Sequence, residues 1–88
     1  MSEEEILADV QGFASGHLPL DAFRQRFAQA YFSVRNDPQA SRSAAARLCD
    51  RIVGPMAEFS RGHRSEESLK QELANAVRPF VSAHPPHR

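Results

Sequence analysis

Four histidines, one cysteine and eleven carboxylates are the side chains of this 88-residue chain that could hold a metal, attack an electrophile or move a proton. His17, His63, His84 and His87 fall outside the helical periodicities, and no two stand four apart on a helix, so the spacing of a helical metal site is missing. His84 and His87 flank Pro85 and Pro86 and could take zinc adventitiously, but two ligands fall short of the four that a structural site needs. Cys49 stands at the edge of an apolar stripe, where it reads as a small buried hydrophobe. A nucleophilic thiol needs an accessible, electropositive setting, and only the nearby Arg47 and Arg51 point that way. No glycine-rich phosphate loop or nucleophile elbow is present. The expectation is a protein that is not an enzyme and has neither a metal nor a cofactor.

Charge is the second source of chemistry. Eleven basic and eleven acidic residues cancel, so the bulk field selects neither nucleic acid nor anionic lipid. The distribution is uneven: residues 1–34 carry five acids against two arginines, net −3, while residues 35–64 carry six arginines against three acids, net +3. Arg42, Arg47, Arg51, Arg61 and Arg64 are the cluster a nucleic-acid reading would use. Asp50 and Glu58 interrupt it, and no basic recognition helix follows a turn at helix-turn-helix spacing, so nucleic acid ranks last among the partners.

Positioning these groups falls to helices. Ser2 and Glu5 make a capping-box pair, and Ile6, Val10, Phe13 and Ala14 recur at helical spacing before Gly16, which predicts a helix over 3–15. Pro19 as a first-turn residue and Asp21 near the positive helix end open a second. In it Leu20, Phe23, Phe27, Ala30, Tyr31 and Val34 form the core stripe, and Phe32 falls at 180° to them with Gln25 and Ala28, on the face that should be wet. Phe32 could be simply exposed, packed under the 35–41 loop, or an anchor for a partner. Ser41 or Ser43 caps a third helix on Ala45, Leu48, Ile52, Met56 and Phe59, with a kink or break expected at Gly54 and Pro55. Ser65, Glu66 and Glu67 open a fourth, with Leu69, Leu73, Ala76, Val77 and Phe80 on its apolar face and Pro79 ending or distorting its last turn.

The sum is an all-α chain, a small antiparallel four-helix bundle, with residues 1–82 as one helical-bundle domain and 83–88 as a disordered tail. At this length folding hides only about 60 to 65% of the unfolded surface, so the core has to be efficient. One cysteine excludes an internal disulfide and fits a reducing compartment. The acidic start lacks the pattern of a signal peptide and no apolar run reaches membrane-spanning length, so the expectation is a soluble, cytoplasmic protein with no membrane partner.

Taken in order, "ILADVQGFASGHLPLDAFRQRFAQAYFSV", "LCDRIVGPMAEF" and "SEESLKQELANAV" resemble the colicin D-type immunity proteins, a bacterial self-protective family, over about residues 6–77. The similarity lies in a first helix ending at a glycine, a second built on Phe23, Phe27 and Tyr31, a third closing on an aromatic and a capped fourth opening with acids. The resemblance implies a four-helix bundle without catalytic activity. It further implies binding to the nuclease domain of a cognate toxin, with acids standing where tRNA phosphates would bind. Carried onto this chain, the candidate contacts are Glu58, Glu66 and Glu67, with Phe32 as an apolar anchor. Ala57 stands where the family pattern has an Asp two residues before the helix-three aromatic, and Glu58 follows it on a different azimuth. The alternative reading is a non-catalytic helical interaction or regulatory protein that self-associates as a homodimer through Phe32.

Overall fold

The computed structural model describes residues 3–39 and 43–83. They form five helices, α1 (Glu3–Ser15), α2 (Leu20–Arg35), α3 (Ala44–Ser60), α4 (Glu66–Ala76) and α5 (Arg78–Ala83), with no strand among the described residues. The expected capping serine Ser2, the alternative cap Ser41, and residues 84–88 of the expected tail lie outside the described residues.

Local chemistry sets the boundaries. Ser43 and Ser65 occupy the N-caps of α3 and α4, their hydroxyls accepting from the N–H groups of Ala46 at 3.2 Å and Ser68 at 3.1 Å. Pro19 sits at the N-cap of α2 in extended geometry, one residue earlier than a first-turn position. Gly16 and Gly62, at φ +88° and +80°, close α1 and α3 in the same way. Gly16 N–H donates to the Phe13 carbonyl and His17 N–H to that of Gly12; Gly62 N–H donates to Phe59 and His63 N–H to Glu58. This paired pattern is the Schellman motif, in which a left-handed residue lets the chain turn back onto the last orphan carbonyls. Nothing lies within 4 Å of a Cβ built on Gly62, so Gly62→Ala meets only the backbone penalty. We expect it to lower stability by about 1 kcal/mol, read as a lower urea midpoint at unchanged m-value; an unchanged midpoint would show that the turn is not strained by a side chain.

Two boundaries differ from expectation. Of the kink or break expected at Gly54 and Pro55, the break is absent: α3 runs through both to Ser60. A proline disfavours helical backbone in the residue before it by clashing with that residue's N–H and Cβ, and glycine at position 54 removes the second of these. The fourth helix is shorter than its periodicity suggests: α4 stops at Ala76, Val77 is its C-cap, and Pro79 belongs to the separate α5, which carries Phe80. Pro79 has no N–H to continue the α4 ladder. The Phe80 side chain still packs, half-buried, against the same core.

α1 and α3 meet each other and each meets both α2 and α4, so α2 and α4 lie on opposite sides of the α1/α3 pair. A single core joins them, with Val10, Phe13, Leu48, Ile52, Leu69 and Leu73 fully buried and no polar residue among the buried ones. The Cα radius of gyration is 12.5 Å, against about 12 Å for a compact chain of this length. Through the core runs a row of rings: Phe13 stacks on Phe23 (centroids 4.8 Å apart), Phe23 on Phe27 (6.2 Å) and Phe27 on Tyr31 (5.8 Å). Cations close both ends, Lys70 Nζ lying 5.6 Å from the Phe13 centroid and the Arg35 guanidinium 5.5 Å from that of Tyr31.

Candidate functional site

The three candidate carboxylates gather where α3 gives way to α4. Glu58 is in the last turn of α3 and Glu66 and Glu67 open α4 across the connection 61–65, and the acids form two ion-paired groups on different sides of α4, one on Arg64 and one on Lys70. Arg64 is the organiser. Its Nε donates to Glu58 Oε1 at 3.1 Å, its Nη2 donates to the same oxygen, and its Nη1 donates to Ser68 Oγ at 3.3 Å and stands 4.0 Å from Glu72 Oε2. The guanidinium thus ties the end of α3 to the first two turns of α4, with its own side chain only 18% exposed.

Lys70 does the same for the other pair, with Nζ 3.8 Å from both Glu66 Oε2 and Glu67 Oε1. Because Lys70 also caps the aromatic row at Phe13, these acids are joined to a cation seated on the core. Pairs at i,i+3 and i,i+4 on an exposed helix contribute only about 0.3 to 0.5 kcal/mol each, so their effect is to set direction more than to add stability. Glu67 remains 87% exposed on its side chain, and Glu58, Glu66 and Glu72 about half. The corner presents four carboxylates that three features hold in place: Arg64, Lys70 and the positive end of α4.

Phe32 is elsewhere. It is 70% exposed and is the one exposed large hydrophobic among the described residues, so it does not pack under the following loop. Tyr31, Val34 and Arg35 from the end of α2 line a cleft of about 200 Å³ with Ala46 and Asp50 from the start of α3. Glu58 lies eight to twelve residues further along α3, or about 12 to 18 Å at helical rise. Phe32, beside Tyr31 near the end of α2, is therefore close to the start of α3, whereas Glu58 is at its end and Glu66 and Glu67 are on α4, across the α1/α3 pair from α2.

The remaining reactive group is accounted for by packing. Cys49 is fully buried in the core, and its thiol pKa is raised from 9.0 to about 11, first by burial and then by the Asp50 carboxylate beside it. Such a thiol is protonated and inert at neutral pH. The unfolded thiol ionises near 9 while the folded one holds its proton to about 11, so this contribution to stability is complete below pH 9 and is lost as pH rises toward 11. A disulfide reagent at pH 8 should modify Cys49 only as fast as the chain unfolds; modification within seconds under native conditions would show that the thiol is reached without unfolding.

Sequence reasoning singled out Arg64 only as part of the arginine cluster of a nucleic-acid reading, not as a partner of these acids, and did not single out Lys70. Lys70 was within reach of it, since it stands three and four residues after Glu67 and Glu66 on one helix. The pairing of Arg64 was not, because its partners are on two helices. Among the described residues no three His, Cys, Asp or Glu side chains group as metal ligands, and no helix is long and apolar enough to cross a membrane. Comparison with protein-family models, with curated proteins and with solved structures finds no match.

Proposed function

We propose that this chain is a toxin-neutralising immunity protein of the colicin D type. In this reading its helices form an antiparallel four-helix bundle with α5 appended. The bundle occludes the active site of a basic, tRNA-cleaving nuclease domain. The observation that carries the reading is the set of exposed acids about the α3–α4 connection, Glu58 and Glu72 braced by Arg64 and Glu66 and Glu67 braced by Lys70.

A nuclease cleft that binds phosphates must be lined by cations, and carboxylates held at fixed positions compete for them. Bracing reduces the side-chain entropy lost on binding, and complementary charge speeds encounter and disfavours partners of the wrong sign. The chain's overall neutrality is compatible with this, because the acids face outward while two of the corner's cations, Arg64 and Lys70, are largely covered, with 18% and 21% of their side chains exposed. Such a protein would act in the cytoplasm, where tRNA is cut.

The test is co-expression with the product of the adjacent reading frame, since immunity proteins are usually encoded beside their toxin. Survival of the host together with a one-to-one complex on size exclusion is the expected result. Death of the host at matched expression, with the two proteins eluting separately, would overturn the reading for that partner.

A further inference from the structure

The outward face of α2 has a pattern that neither the core nor the acidic corner uses. Asp21, Gln25, Ala28, Phe32 and Arg35 follow one another at steps of four, three, four and three, and all five are exposed. At 100° per residue they fall within an 80° arc, the geometry of a coiled-coil seam. In the middle of that seam a large ring, Phe32, adjoins a methyl group, Ala28, one turn away. We infer that α2 pairs with α2 of a second copy of this chain, antiparallel and about a two-fold axis, through these residues.

The seam is complementary to itself. Antiparallel seams pair the two kinds of seam position in layers, and here one register places Phe32 of each copy on Ala28 of the other, ring into hollow, twice. The same register sets Gln25 opposite Arg35 of the second copy, so that the amide oxygen can accept from the guanidinium. Asp21 lies one turn beyond that layer, about 6 Å along the axis, within the reach of the same Arg35. No hydrogen bond or ion pair engages Asp21 among the described residues, whereas Arg35 is held over the Tyr31 ring and donates to its hydroxyl at 3.2 Å. The seam thus carries an acid at one end and a base at the other, and an antiparallel copy brings the two within one turn of each other.

This pairing is independent of the toxin reading and compatible with it. α2 and α4 lie on opposite sides of the α1/α3 pair, so a dimer through α2 leaves both acidic corners exposed. A seam of one 16-residue helix with a single large apolar side chain is a small interface, and a dissociation constant of about 10 to 100 µM is the expected range.

Sedimentation equilibrium of the full chain from 5 to 500 µM tests it. The wild type should pass from monomer to dimer across that range, and Phe32→Glu and Ala28→Glu should each raise the dissociation constant at least about tenfold with unchanged helical circular dichroism. Gln71→Glu, on exposed α4, should leave it unchanged. A wild type that stays monomeric throughout, or a dimer that survives both α2 variants, would overturn the inference. So would a monomeric wild type in which Phe32→Glu abolishes toxin binding, which would assign the face to the toxin instead.

Discussion

Phe23→Ala leaves the chain largely unfolded at 37 °C, while Phe32→Ala, nine residues later on the same helix, is nearly silent. Phe23 is 1% exposed and stacks between Phe13 and Phe27, so its removal takes away buried apolar area and both ring contacts and leaves a cavity at the junction of α1 and α2. Phenylalanine-to-alanine changes at such sites lower stability by about 3 to 5 kcal/mol. A chain of this size has about 4 to 13 kcal/mol in total, so a large share of it is lost. Each kcal/mol lowers the melting temperature of a small domain by about 4 to 8 °C, giving an expected fall of about 12 to 40 °C. Phe32 is 70% exposed, and its replacement should change stability by less than about 0.5 kcal/mol. Thermal melts of the two variants side by side are the check. Similar melting temperatures would mean that the aromatic row does not carry the fold.

Reversing the corner should abolish protection with little loss of structure. Glu66→Lys with Glu67→Lys puts three lysines, including Lys70, where two acids now surround one. Against a basic nuclease cleft each reversal turns attraction into repulsion, and a fall in affinity of at least about 100-fold is expected, mostly in the association rate and steeper at low salt. The fold loses only favourable charge at the start of α4, about 0.3 to 1 kcal/mol per residue. The neutral pair Glu66→Gln and Glu67→Gln should fall between wild type and reversal. A folded double-lysine variant that still protects the host would move the toxin contact away from this corner.

Much of the fold could be read from spacing because the signals were local. The limits of α1 at 3 and 15, the caps Ser43 and Ser65, and the turn at Gly16 each depend on residues within six positions of one another. The run Phe23, Phe27, Tyr31, Arg35 also announces a row at steps of four. The division of the last helix at Val77 was less accessible, since Pro79 signals a stop without saying whether the chain resumes as helix beyond it. The same holds for Gly54 and Pro55, which signal a weak point in the helix without saying whether it continues through them.

The candidate site was less legible. Glu58, Glu66 and Glu67 flank one short connection between their helices, but their division between Arg64 and Lys70 does not follow from it. Sequence alone determined the first three helices, the start of the fourth, the buried stripes and the placing of Phe32 opposite its helix's stripe, because periodicity and capping act over one or two turns. Only the tertiary structure decided that Phe13 continues the row begun on α2, that Lys70 closes it, that Arg64 spans two helices, and that Phe32 and the acids stand apart. Those contacts join residues distant along the chain, and helix packing, not spacing, sets which faces meet.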